Sequence, residues 1–313
     1  MGHRYILAVE TSCDDTGIAI SCNHRILSNI TLSSQTKHKQ YGGIVPEIAA
    51  RSHADNLSIC CEQAMQQAKI GWTQLTHIAY TDAPGLPGSL HTGKIFAKSL
   101  AQLLKLPIIP VNHIHGHIYS FMIDKNKVVT YPFMSIVLSG GHTCIYLVKN
   151  IDHLEILNET ADDAIGETLD KVGRILGFNY PGGVSIDQAF NAQKAHLKLI
   201  HHFKPEEKFS FSGVKTHITN LANQSKMKHQ KLDKISVASS LLQWVVDEVM
   251  IKLNYYLQKY PAVKFVTIGG GVSANRLLRN EIKQVSKPVF LPELKYANDN
   301  AAMIALYAYL TIQ

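Results

Sequence analysis

The stretch Asn112-His113-Ile114-His115-Gly116-His117 places three histidines in five positions, dense enough in imidazole to hold a metal ion. Which of them would share one ion depends on the local backbone. A strand turns all three to one face, because its side chains alternate. A helix pairs only His113 with His117, one turn apart, and sends His115 elsewhere. The neighbours favour the helix. Ile114, Ile118, Phe121 and Met122 recur as a helical apolar stripe, and Asn112, just past Pro110 and Val111, stands where an N-cap belongs. Gly116 weakens such a helix by about 1 kcal/mol relative to alanine. Two histidines are half of a metal site, since a catalytic ion wants a third protein ligand and an open position. Asp124 lies past the next turn, and Ile114 stands where the helix of a zinc peptidase carries its glutamate. The third ligand must come from far away in the chain.

Two glycine-rich segments could meet phosphate. Residues 88–95, GSLHTGKI, spell GxxxxGK, but Ile95 replaces the hydroxyl residue that a P-loop needs for magnesium. A glycine loop that lets a helix pack or a substrate approach is expected there instead. Residues 269–274, GGGVSA, satisfy GxGxxA between a strand and a helix, with Glu293 after the next strand. Too little chain follows to complete a doubly wound sheet, so this is expected to be a nucleotide loop of another class, binding through free N–H groups and the helix dipole. Three strand–turn units, AVETSCDDTG, VLSGGHT and IGGGVSANR, each end a strand in small residues. In this order, over two α/β blocks, they suggest the nucleotide cleft of actin, hexokinase and Hsp70.

The elements that would position these groups read as alternating strands and helices, the pattern of an α/β protein. Strands are expected at YILAVETS, TGIAIS, HIAYTDA and LPIIPV, and long helices at 47–70 and at GKIFAKSLAQLLK. A hairpin about Gly140 and Gly141 follows, then a long helix in VASSLLQWVVDEVMIKLNYYLQK, the strand–turn–helix at VKFVTIGGGVSANRLLRNEI, and a last helix at NAAMIALYAYLTI. A polar segment at 123–132 separates the blocks. The expected domains are 1–130 with 296–313, and 131–295.

Composition narrows the function classes. A chain of 313 residues is long for one core and fits two domains. With 46% hydrophobic and 18% charged residues it is globular, and no apolar run reaches the roughly 18 residues of a membrane span. Its start runs almost directly into an apolar strand, leaving no room for a leader, so a cytoplasmic protein is expected. The five cysteines form no CxxC pair, which argues against a disulfide framework or a zinc cluster and for buried small hydrophobes. A net charge of +7 suits a polyanionic partner. Lysine and histidine gather in 194–234, a candidate surface for a phosphate backbone.

Nine ordered motifs, ETSCDDTGIAI, YGGIVPEIAARSH, APGLPGSLHTG, NHxxGH, SGGHT, YPGG, FSFSGVKT, GGGVSANRLLR and DNAAMIA, run from residue 10 to residue 305. Together they resemble the bacterial-type tRNA N6-adenosine threonylcarbamoyltransferases, the TsaD family once described as sialoglycoprotein endopeptidases. The resemblance implies an actin-like (ASKHA) duplicated fold with an interdomain nucleotide cleft. It implies transfer of the threonylcarbamoyl group from threonylcarbamoyl-AMP to N6 of the adenine beside the anticodon, in tRNAs that read ANN codons. It also implies one divalent metal, Fe(2+), held by His113, His117 and the distant Asp299. Substrate-binding positions carried over are Val137, Leu138, Ser139, Gly140 and Gly141, then Asp170, Gly183, Asp187 and Asn275. Asp170 and Asp187 would meet ribose hydroxyls, Asn275 the purine side. The implied partners are tRNA, an inactive paralogue, an ATPase, and a separate synthase that makes the adenylate.

The chain departs from the family pattern at several points. His115 stands where glutamate is usual, Ala83 replaces a glycine, YANDN replaces the usual C-T/S-DN, and the chain stops at Gln313, soon after its last helix. Other readings stay open at this stage. A metallopeptidase would use the same histidines without a catalytic glutamate. A small-molecule carbamoyltransferase or sugar kinase suits the fold but not the basic stretch. A non-catalytic scaffold binding nucleotide and partners is made thinkable by His115.

Overall fold

A computed structural model of the chain describes residues 2–38, 41–125, 128–199 and 204–312. Residues 126 and 127 of the 123–132 segment, residues 200–203 of the basic stretch, and Gln313 lie outside them. The chain forms two compact units, residues 1–129 with 292–313, and residues 130–291.

The first unit is built on β1 (Tyr5–Glu10), β2 (Asp15–Cys22), β3 (Arg25–Ser33), β4 (His77–Ala83) and β5 (Ile108–Asn112), in the order β3-β2-β1-β4-β5. The first three strands form an antiparallel meander, and β4 and β5 join parallel to β1. Its helices are the short α1 (Gln35–His38), α2 (Pro46–Ala68), α3 (Pro87–Leu104), α4 (His113–Tyr119) and the C-terminal α10 (Ala301–Thr311). Strand β1 is buried from Ile6 to Val9, as a strand covered on both faces must be. Alternation sends Leu7 and Val9 into a cluster with Leu57 and Cys60 of α2 and Ala97 of α3. Ile6, Ala8 and Glu10 therefore face the other way. Helix α10 packs on β1, β2 and α4, and its residues from Ala301 to Ala308 are buried all round, which explains why it is apolar on every face.

The second unit repeats the plan. Strands β6 (Phe133–Leu138), β7 (Thr143–Asn150), β8 (His153–Glu159), β9 (Val266–Gly269) and β10 (Val289–Phe290) lie in the order β10-β9-β6-β7-β8. Again three strands form a meander, and two more add parallel to the first. The helices are α5 (Ile165–Ile175), α6 (Gly182–Ala189), α7 (Ser212–Met227), α8 (Lys234–Lys259) and α9 (Arg276–Glu281). Its core joins Met134, Ile136 and Leu138 of β6 to Leu241, Val245 and Val249 of α8.

The GxxxxGK segment is not a loop. Residues 88–95 lie inside α3, which starts at Pro87 with proline in the first turn, where its missing N–H and fixed φ suit a helix. The packing half of that expectation holds, because Gly93 is buried against Thr11. All five cysteines are free thiols; Cys60, Cys61 and Cys144 are buried, and Cys13 and Cys22 are half-buried.

Candidate metal centre and glycine-loop cluster

Asn112 ends β5 and caps α4: its Oδ1 accepts from the N–H of Ile114 at 2.9 Å and of His115 at 3.4 Å. The cap starts the helix at His113 and puts His113 and His117 on one buried face. Gly116 packs closely on α10: a Cβ there would meet Met303 Cγ at 3.0 Å and Ile304 Cδ1 at 3.2 Å, so those side chains would have to give by a few tenths of an ångström. The residue that weakens α4 as an isolated helix thus sits where the helix packs most closely on α10. His115 points away from its neighbours' face, with Nδ1 2.6 Å from the Tyr307 hydroxyl and the rings edge to face. Asp299 comes from the segment leading into α10. There Asn300 accepts from the N–H of Met303 and donates to the carbonyls of Asn298 and Tyr296, fixing the turn that carries the carboxylate.

Three donor atoms therefore converge within the first unit. Nε2 of His113 and Nε2 of His117 are 3.1 Å apart. Asp299 Oδ1 lies 3.1 Å from the second and 3.5 Å from the first, although 182 positions separate His117 from Asp299. Two imidazole nitrogens bound at right angles about 2.1 Å from one ion stand about 3.0 Å apart. The spacing and the two-histidine, one-carboxylate donor set fit a divalent transition metal. The histidines are buried, while the Asp299 side chain is 24% exposed, so the cluster opens on the aspartate side, where a substrate atom could enter.

The electrostatics are set by carboxylates. Burial opposes charge on His113, but Glu10 and Asp299 outweigh it and hold its pKa up to about 9. His117 is lowered, chiefly by burial and against its bond to Asp299. Asp14 is pushed up to about 6 by burial, with Asp15 and Asp299 adding repulsion, and Asp15 is raised mainly by burial. These neighbours were not singled out from the sequence, nor was Glu10, which is 1% exposed with Oε2 3.2 Å from His113 Nδ1. The available signal was a lone acid ending an otherwise apolar strand.

The second unit holds the other carried-over positions on β6 and the turn after it, on α5 and α6, and at the cap of α9. Val137 and Leu138 end β6. Ser139 closes the turn: its N–H donates to His142 O at 2.8 Å, and its Oγ accepts from the N–H groups of Gly141 and His142. Among the described residues nothing lies within 4 Å of where a side chain at Gly140 or Gly141 would begin, so that side of the turn has room for a ligand. The turn is backed by Gly270, whose φ of +84° and approach to Leu138 O (2.3 Å from a built Cβ) exclude any side chain. Asp170 on α5 accepts from the N–H of Gly183, in the first turn of α6. Asp187, on the same α6, accepts from Asn275 Nδ2 at 3.0 Å and from Arg276. Asn275 also caps α9 through Leu278 N–H. These four positions are thus linked to one another.

The basic stretch is partly neutralised. Lys194, Lys204, Lys208 and Lys215 pair with Asp233, Glu207, Glu159 and Asp163. Lys226, Lys228 and Lys231, at the end of α7 and beyond it, are exposed. In the FSFSGVKT motif, Asp162 accepts from the Ser210 and Ser212 hydroxyls and from the Phe211 N–H, which holds the start of α7.

The repeated sheet and its strand-end turns define an α/β protein of the actin-like class. Solved structures of that class are similar throughout: the dehydratase component A of Acidaminococcus fermentans (14% identical, 98% of each chain, TM-score 0.56) and HypF of T. kodakarensis (13%, 98% of this chain and 48% of that one, TM-score 0.55). Within the class, the chain belongs to the TsaD family, tRNA N6-adenosine threonylcarbamoyltransferase, whose sequence profile it matches over residues 25–306. Relatives carrying that name include proteins of Ureaplasma urealyticum, 44% identical over 100% of this chain and 97% of that protein, and Malacoplasma penetrans, 45% identical over 97% and 98%.

Proposed function

We propose that the chain transfers the threonylcarbamoyl group from threonylcarbamoyl-AMP to N6 of the adenine beside the anticodon of tRNAs reading ANN codons. In the reaction N6 forms a bond to the carbamoyl carbon, the bond from that carbon to the AMP phosphate oxygen breaks, AMP leaves with its electron pair, and N6 loses a proton. The observation that carries this reading is the meeting of His113, His117 and Asp299 in a chain of this family. These three residues would hold one divalent metal, with Fe(2+) matching the donor set. Bound there, it would supply a Lewis acid to the carbonyl or phosphate of the adenylate.

The rest of the chemistry falls to the chain's own groups. The Gly140–Gly141 turn, with room where side chains would stand, would face the phosphate. Asp170 and Asp187 would take ribose hydroxyls with their remaining lone pairs, and Asn275, with Val137, Leu138, Ser139 and Gly183, would complete the adenylate site. Holding an activated carbonyl and a weak amine in line is worth several kcal/mol of barrier by itself. The exposed Lys226, Lys228 and Lys231 suit tRNA phosphates. The same reading brings in an inactive paralogue, an ATPase and an adenylate synthase as partners, and places the protein in the cytoplasm with its substrates. No helix among the described residues is long and apolar enough to cross a membrane.

The test is modification of unmodified tRNA by the purified chain with its partners and threonylcarbamoyl-AMP, read as threonylcarbamoyladenosine by mass spectrometry. The expected result is product with the parent chain and none with His117→Ala. Equal product from both would sink the reading, as would casein cleavage without tRNA modification.

A further inference from the structure

Glu10 is a buried carboxylate whose bonds are all assigned. Its Oε1 accepts from the Ser12 N–H at 2.6 Å, while Oε2 accepts from the Thr81 hydroxyl and faces His113 Nδ1 at 3.2 Å. His113 has two ring nitrogens, and the one opposite Glu10 faces away from the cluster. The other, Nε2, is directed at His117 Nε2 and Asp299 Oδ1. A proton held on Nδ1 by a carboxylate leaves Nε2 as the lone pair that can ligate. We propose that Glu10 is the positioning residue that fixes His113 as a ligand through Nε2, by holding the proton and the ring orientation at Nδ1. This rests on the metal reading of His113, His117 and Asp299.

The two histidines are then unequal. Nδ1 of His117 is buried with no hydrogen-bond partner among the described residues, so only His113 has its outer nitrogen tied to a charge. The tie reaches across three elements: Glu10 ends β1, Thr81 lies in β4, and His113 opens α4. Glu10 does not compete for the ion, because the oxygen it turns toward His113 meets the far side of that ring.

Glu10→Gln is the discriminating change, because Ser12 N–H and His113 Nδ1–H both require an oxygen and the amide has one. If its oxygen serves Ser12, its NH2 faces Nδ1 and drives the proton to Nε2, the ligating atom. If it serves His113, two N–H groups confront one another at Ser12. Cobalt(II) binding to the full chain, followed by its d–d absorption and by competition with a chelator, reads the outcome. Outer partners of this kind are worth about 10- to 100-fold in metal affinity, and that weakening is expected for Glu10→Gln. Thr81→Val, which keeps the carboxylate beside His113, should change affinity less than about threefold. Nitrogen-15 NMR of the zinc-loaded parent chain should show a protected Nδ1–H on His113; it needs no variant to fold. Unchanged cobalt affinity in Glu10→Gln, an equal loss in Thr81→Val, or zinc on Nδ1 would each overturn the proposal while leaving the metal site standing. A parent chain that binds no cobalt would overturn the metal reading and this inference with it.

Discussion

The two units share one sheet order yet spend the same topological position differently. At the end of the first strand, the first unit puts Glu10, paired in register with Gly17, and the second puts Leu138, paired with Thr143. From there the first unit builds with side chains, gathering Glu10, His113, His117 and Asp299 from three separate segments. The second builds with backbone, leaving Gly140 and Gly141 open behind a Ser139 turn. A divalent transition metal suits imidazole and carboxylate lone pairs, which side chains provide; a phosphate is met well by N–H groups at a strand end. On the proposed reading one topology would serve two chemistries, and each half should fail differently.

The largest expected effect falls on the side-chain half. Asp299→Ala removes one of the three candidate ligands, at a partly open position. Metal content should fall from about one per chain to a small fraction. Transfer should drop on the order of a thousandfold, the rate equivalent of a few kcal/mol of lost carbonyl polarisation. Elemental analysis beside the transfer assay checks both. Full metal retention in the variant would show that the histidines bind it without the aspartate.

The corresponding break in the backbone half is steric. At Gly270 alanine would be held at positive φ with its Cβ against Leu138 O, a combination that costs about 2–4 kcal/mol. Gly270→Ala should lower thermal stability by several degrees and weaken adenylate binding. The folded fraction should keep its full complement of metal, because Gly270 belongs to the other unit. Loss of metal in a folded variant would dissolve the distinction between the halves.

How much of this was legible differs between the two halves for a physical reason. The α4 helix could be read because its evidence is local: an N-cap at Asn112 and an apolar stripe from Ile114 to Met122. The hairpin about Gly140 and the long helices were local in the same sense. Asp299 could not be found by spacing at all, and only likeness to a family pointed to it. Glu10 was missed because its meaning lies in Thr81 and His113, on elements far off in sequence. The GSLHTGK segment misled because Gly88 and Gly93 serve helix packing, not a turn. The outer strands β3 and β8 were not anticipated, since half-exposed edge strands mix polar and apolar residues.

Each half also buries a glutamate, and the pair sharpens the comparison. Glu10 has its oxygens bonded, and His113 pulls its pKa down against burial. Glu248 on α8 has Oε2 without a partner among the described residues and stands 3.9 Å from Lys252 Nζ, which is donated instead to backbone carbonyls of Lys204 and Glu207. Burial pushes the Glu248 carboxyl up to about 7. A folded pKa above the unfolded one, about 4.3, favours the fold most below that unfolded value, and the contribution is lost as pH rises toward 7. Glu248→Gln should therefore gain on the parent by about 1–3 kcal/mol at pH 8 and by little at pH 4.5. Urea midpoints across that range read it, and a constant difference would mean that the carboxyl is not protonated in the fold.

The smallest effect is expected where the chain departs from its family. His115 sits between the two candidate ligands in sequence, so a third imidazole there looks poised to alter the metal. Its ring, however, is engaged with Tyr307 on α10, 2.6 Å from the hydroxyl, while His113 and His117 turn to the other face of the same helix. His115→Glu should leave metal content unchanged and alter transfer by less than about threefold. The stability lost would be roughly the 0.5–1.5 kcal/mol of one hydrogen bond, and a glutamate that reaches the Tyr307 hydroxyl would return part of it. Tyr307→Phe should remove a similar amount without touching the metal. If His115→Glu instead changes which metal copurifies, the helix face is not the boundary it looks to be, and α4 must let its middle histidine reach the ion.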